Sequence, residues 1–154
     1  MGAKDLSNVA RLLEMANRKC LIISDCDKPS KEAQTRHRTN KIHGSWYTFE
    51  DIYNHSRFVT MEDFITPDGH ASKVASFVDR FPSAADLTTE NFRQNKPRID
   101  VWKEWAGSLG LDTNEQKSLL NEIKDLLVKD LKAAEIEADY ELLHNFITDH
   151  GFAE

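Results

Sequence analysis

Cysteine is nearly absent from this chain of 154 residues, which has only Cys20 and Cys26. Six positions apart and with no second pair, they exclude a zinc site built on paired cysteines and the Cys-x-x-Cys spacing of a redox motif, so both are expected as reduced thiols. Long apolar runs are missing too. No stretch reaches the roughly 20 residues a membrane-spanning helix needs, and no basic-then-apolar pattern opens the chain, so the expectation is a cytoplasmic protein with no membrane partner. Positive charge is also in deficit, with 20 Lys and Arg against 26 Asp and Glu for a net charge of -6. That balance excludes nucleic-acid binding by bulk electrostatics and requires any such contact to be local. There is no Gly-x-x-x-x-Gly-Lys-Ser/Thr loop, hence no ATPase module within the chain. The six histidines lack the His-Glu-x-x-His spacing of a zinc peptidase and are expected at the surface, and Ser24 lacks the glycine-flanked elbow of a hydrolase nucleophile.

What is present suits a folded α/β domain. Hydrophobic residues make up 40% and charged residues 30% of the chain, well outside the disordered regime, and the length predicts one domain with a helical extension rather than two independent cores. Leu6, Val9, Ala10, Leu12, Leu13 and Ala16 recur at helical spacing over 5–16. Cys20-Leu21-Ile22-Ile23 is then a short, continuously apolar run, as expected of a strand buried on both faces of a parallel sheet. It stops at Ser24-Asp25-Cys26-Asp27, and Pro29 suits the first turn of a helix reaching Arg38. His43-Gly44-Ser45 reads as a turn, Thr48 with Asp51 as the cap of a short helix through Tyr53, and Arg57-Phe58-Val59-Thr60-Met61 as a second strand. After the turn-like Thr66-Pro67-Asp68-Gly69 the pattern is helical: 70–81, 98–109 with Trp102 and Trp105 as core residues, a long helix capped by Thr113 and Gln116, and a last helix over 139–148 with Gly151 beyond its end. The long helix also offers a surface for homo-oligomer formation. The division expected is a core over 1–68 and a helical extension over 69–154.

The chemistry concentrates at the acidic strand ends. In an open α/β sheet, ligands bind where strands stop at their carboxyl ends. Asp25 and Asp27, one residue apart in extended chain, can project to one side and share a cation, and hard oxygen donors suit Mg2+ or Mn2+ more than zinc. The competing reading is that one of them caps the following helix. A second acidic end at Glu62-Asp63 would bring more carboxylates to the same edge of a parallel sheet, a convergence that calls for a cation. Between Lys28 and Lys41 the basic residues Lys28, Lys31, Arg36, Arg38 and Lys41 face Glu32 alone, which makes Lys28, Lys31, Arg36 and Arg38 candidate nucleic-acid contacts beside the metal site; a solvated helix face is the plainer alternative.

Leu21-Ile22-Ile23-Ser24-Asp25-Cys26-Asp27 followed by a polar helix resembles the Asp-x-Asp motif of Toprim domains, found in topoisomerases, primases and OLD-type nucleases. Gly2-Ala3-Lys4 resembles the glycine-led segment before that strand, and Phe58 to Ile65 resembles the segment that follows in Toprim domains joined to OLD-like or related ABC-type ATPases. The resemblance covers roughly the first 65 residues. It implies a Toprim-like, Rossmann-like parallel sheet and Mg2+-dependent phosphodiester cleavage of DNA, plausible in an anti-phage or DNA-processing system. Asp25 and Asp27 would be metal ligands and Glu62 a further ligand or base, with Asp63 beside it. The partners implied are DNA and an ABC-type ATPase domain or subunit. The family's first strand, ending in a glutamate, has no counterpart here, so the sheet is expected to be incomplete at the N-terminus. The alternative is therefore an inactive regulatory or docking module, or a subunit completed by a partner chain. A phosphatase fits poorly because Lys28-Pro29 follows the aspartates, and a receiver domain fits poorly because no acidic pair closes an earlier strand.

Overall fold

The structure, a computed structural model, describes residues 3–53 and 59–152. The chain is mixed α/β, mostly helical, with a two-stranded parallel sheet, and it divides into two compact units: 1–60 together with 141–154, and 61–140. The expected boundary at 68 falls inside the second unit, and the last 14 residues belong with the first. No helix among the described residues is long and apolar enough to cross a membrane.

In the first unit, α1 (Ala3–Met15) leads to β1 (Leu21–Ser24), α2 (Lys28–Thr39), β2 (Ser45–Thr48) and α3 (Phe49–Tyr53). The strands run parallel in a register that pairs Leu21 with Ser45 and Ser24 with Thr48. β2 lies where the sequence reads as a turn followed by a helix cap. The turn exists, but it is confined to Gly44, whose φ of +90° lets the Ser45 amide donate to the Cys20 carbonyl at 3.0 Å and so start the ladder at once. A Cβ at Gly44 would stand 2.5 Å from the Cys20 carbonyl oxygen, so only glycine fits. The cap also exists: the Thr48 amide donates to Asp51 Oδ2 at 2.8 Å and the Asp51 amide to Thr48 Oγ1 at 3.4 Å. Ala10, Cys20, Ile22, Ala33 and Trp46 form the small core of this unit. His37, expected at the surface, is buried there: its Nε2 hydrogen donates to the His43 carbonyl at 3.1 Å, and its ring meets Trp46 edge-on.

The second expected strand does not form in its described part. Val59 and Thr60 have no regular structure and Met61 opens a single 3-10 turn through Phe64, while Arg57 and Phe58 lie outside the described residues. β-branched residues supply propensity, but strand propensity depends on context, and among the described residues Val59 and Thr60 are outside the two-stranded β1-β2 sheet.

The second unit is helical: α4 (Pro67–Val78), α5 (Thr89–Phe92), α6 (Arg98–Ser108) and α7 (Thr113–Val128), followed by α8 (Tyr140–Ile147), which starts at its border. Thr66-Pro67-Asp68-Gly69, expected as a turn, is instead the start of α4: Thr66 Oγ1 accepts the Gly69 amide at 3.0 Å and Pro67 occupies the first turn. The long helix is capped one residue earlier than the sequence suggests, by Asp112 with Glu115 in a reciprocal box. Trp102 and Trp105 pack into the core with Phe77, Phe92, Ile123 and Leu127, as their spacing predicts.

Candidate functional site

β1 carries the chain to Asp25, half-buried at its carboxyl end, and Asp27, exposed one residue further on. Asp27 is the N-cap of α2: its backbone is extended, and its Oδ1 accepts the Ser30 amide at 2.8 Å. The capping role weighed from sequence is thus present. It leaves the carboxylate with further acceptor capacity, because an ionised carboxylate offers about four lone-pair sites and this bond engages one oxygen. Between the two aspartates, the Cys26 amide donates to the Val59 carbonyl at 2.8 Å and the Cys26 sulfur accepts the Glu50 amide at 3.0 Å, which pins the loop to α3. Burial raises the Cys26 thiol pKa, outweighing the bonds that favour thiolate, so the thiol is protonated at neutral pH. Neither cysteine is in a disulfide.

Beside this corner lies an open groove of about 680 Å³ lined by Cys26, Lys28, Lys31, Glu32, Thr35 and Arg36. Lys31 pairs with Glu50, whose hydrogen bond raises the lysine pKa and keeps it charged. Arg36 stands 4.0 Å from Glu32 one helical turn away, both half-exposed, a weak pair in water. Arg36 is also a wall of a second, smaller groove between α1 and α2, formed with Ser7, Asn8, Arg11 and Asn40. Arg38 is on another side of α2: its guanidinium donates to the Trp46 carbonyl at 3.3 Å and it lines a separate cleft with Lys41 and Tyr47. The four candidate cations are therefore not one surface. Lys28, Lys31 and Arg36 share a groove, and Arg38 does not. Arg11 was missed from sequence, although its i, i+4 relation to Ser7 on α1 places both on one helix face.

Glu62 and Asp63 belong to the second unit, and each has a defined local role. Glu62 forms an ion pair with Lys124 at 2.7 Å. Asp63 is buried and its Oδ1 accepts the Arg98 amide at 2.7 Å, supplying the cap that Pro97, at the N-cap of α6, has no side chain to give. The Arg98 guanidinium returns to the Ile65 carbonyl at 2.7 Å and to Glu137 at 2.5 Å. Next to this network His70, expected at the surface, is fully buried: Trp102 Nε1 donates to its Nδ1 at 3.0 Å and its Nε2 hydrogen donates to the Glu62 carbonyl at 2.9 Å. Burial lowers its pKa to about 4, so the ring is neutral at physiological pH.

Among the described residues no three His, Cys, Asp or Glu side chains gather in a metal-binding group. A site on two carboxylates is still chemically adequate, since Mg2+ is usually held by one or two carboxylates, with waters and substrate phosphates completing its shell. No protein-family model, curated protein or solved structure matches the chain.

Proposed function

We propose that the corner between β1 and α2 is the divalent-cation site of a Toprim-type domain acting on the phosphodiester backbone of DNA in the cytosol. The observation that carries this reading is the position of Asp25 and Asp27: two hard-oxygen donors where a parallel strand hands over to a helix, next to a groove walled by Lys28, Lys31 and Arg36. The donor set fits Mg2+ or Mn2+. When bound, the cation would polarise a phosphoryl oxygen and lower the pKa of a bound water. Asp25 and Asp27 would hold the cation, and Lys28 and Lys31 would orient the phosphate by charge-assisted contacts. The proposal rests on these two aspartates alone, because Glu62 and Asp63 are engaged with Lys124 and Arg98.

Those same engagements favour a second reading, a docking module on the same scaffold without catalytic activity. Asp27 as a helix cap, Glu62 as an ion-pair partner and Asp63 as a distal cap all have structural roles that need no metal. Incubation of supercoiled plasmid with the chain in Mg2+ or Mn2+, against Asp25→Ala/Asp27→Ala, decides between them. Metal-dependent nicking lost in the folded double variant is expected for the nuclease. Equal nicking by both proteins, or none by either, refutes it, and a wild type that binds neither metal leaves the docking module.

A further inference from the structure

We infer that α1 and α2 together form a track for the backbone of duplex nucleic acid, extending from the candidate metal corner across Arg36 to Arg11; this deepens the reading above and rests on it for the choice of polyanion. Arg36 lines both grooves, so they are contiguous through one side chain. Among the described residues, the second groove is lined by Arg11 and Arg36 with the neutral Ser7, Asn8 and Asn40 as its other polar lining. The half-exposed pair of Arg36 with Glu32 is weak enough in water to leave both arginines able to turn to an anion, and Arg with Ser and Asn is the donor set that grips phosphate oxygens.

The distribution of charge points the same way. Residues 61–140 contain 10 Lys and Arg against 16 Asp and Glu, which accounts for the whole net charge of -6, and the first unit balances at 10 against 10. A basic face can therefore stand on the neutral unit in spite of the acidic whole. From Lys28 to Asn40 the track follows 12 residues of helix, or about 18 Å at 1.5 Å per residue, close to half a turn of duplex. Among the described residues neither groove has an aromatic side chain in its lining to serve as a platform on which unpaired bases would stack. That favours backbone contact with a duplex over capture of a single strand.

The experiment is fluorescence anisotropy of a labelled 20-base-pair duplex and of one of its single strands, titrated with the full chain in EDTA over a range of salt. Arg11→Glu/Arg36→Glu is expected to weaken duplex binding by about tenfold or more and to reduce the salt slope by about two phosphate contacts, while Arg38→Glu behaves as wild type. Circular dichroism confirms that each variant is folded, and Arg11→Gln/Arg36→Gln repeats the test should the charge reversal unfold α1. Equal loss with Arg38→Glu, an unchanged slope in the double variant, or tighter binding of the single strand overturns the track. Since EDTA removes the cation, duplex binding with no cleavage in metal would sink the nuclease and leave the track standing. Cleavage by a double variant of wild-type affinity would do the reverse.

Discussion

The two units solve the problem of stability differently. Residues 61–140 have a deep aromatic core on Phe77, Phe92, Trp102 and Trp105, and they bury His70, Asp63 and Arg98 with partners. The first unit is built on a smaller cluster in which Ala10, Cys20 and Ala33 are three of the five buried members, and its sheet has two short strands. Buried polar groups rigidify a core when satisfied, and both units have them: Asp63, His70 and Arg98 in the one, Ser30, Gln34, His37 and Thr48 in the other. The candidate chemistry is on the other unit, where loops at a strand end leave carboxylates and lysines within reach of solvent. An acidic residue near a strand end is therefore ambiguous until its partner is known. Asp63 is a structural cap in the thick core, and Asp27 is a cap that remains exposed.

The comparison breaks first at the deep core. Trp102→Ala should cost about 3–5 kcal/mol by chemical denaturation, since a fully buried ring is lost and the Nδ1 of His70 loses its donor. Asp63→Ala should cost about 1–3 kcal/mol because the buried Arg98 amide at the start of α6 loses its acceptor.

His70 sharpens the comparison through pH. Its folded pKa is depressed to about 4 from an ordinary 6.5. Above pH 6.5 both states are neutral and stability is full; between 6.5 and 4 the unfolded chain takes up a proton that the native ring refuses. The result is a loss of about 3 kcal/mol across that window. A His70→Gln variant, less stable overall, should show a shallower fall in denaturation midpoint from pH 6.5 to 4; an identical pH profile would contradict the assignment.

Smaller effects are expected in the first unit. Gly44→Ala should destabilise by about 1–3 kcal/mol, because an L side chain is strained at φ +90° and meets the Cys20 carbonyl. Asp27→Ala should cost about 1 kcal/mol and Asp27→Asn almost nothing, since asparagine caps as well as aspartate. Equal loss in both would show that the charge, rather than the cap, supports α2.

Much of this arrangement is legible in the sequence. The apolar run into Asp25, the Pro29 start of α2, the tryptophan core and helices α1, α4, α6 and α7 follow from period and cap chemistry. What escaped did so for physical reasons. Ser45–Thr48 is only four residues long and sits between a glycine turn and a helix cap, each of which explains its end residues without a strand. Val59 and Thr60 have strand propensity, yet among the described residues they are outside the β1-β2 sheet. His37 and His70 look polar in isolation, and their burial depends on distant acceptors and donors, His43, Glu62 and Trp102, that no local pattern reveals. At the candidate site, the nearness of Lys28, Lys31 and Arg36 to one another was readable from spacing, whereas the separation of Arg38 and the approach of Arg11 depend on how α1 and α2 pack.

The central claim, that Asp25 and Asp27 hold a divalent cation, is tested most directly by calorimetric titration of Mn2+ into the wild-type chain and into Asp27→Asn, which keeps the cap while removing the charge. Saturable binding by the wild type and at least about tenfold weaker binding by an equally stable Asp27→Asn is the result predicted here. Equal binding by the two proteins, or no binding by the wild type, would contradict it and leave Asp27 as the cap of α2.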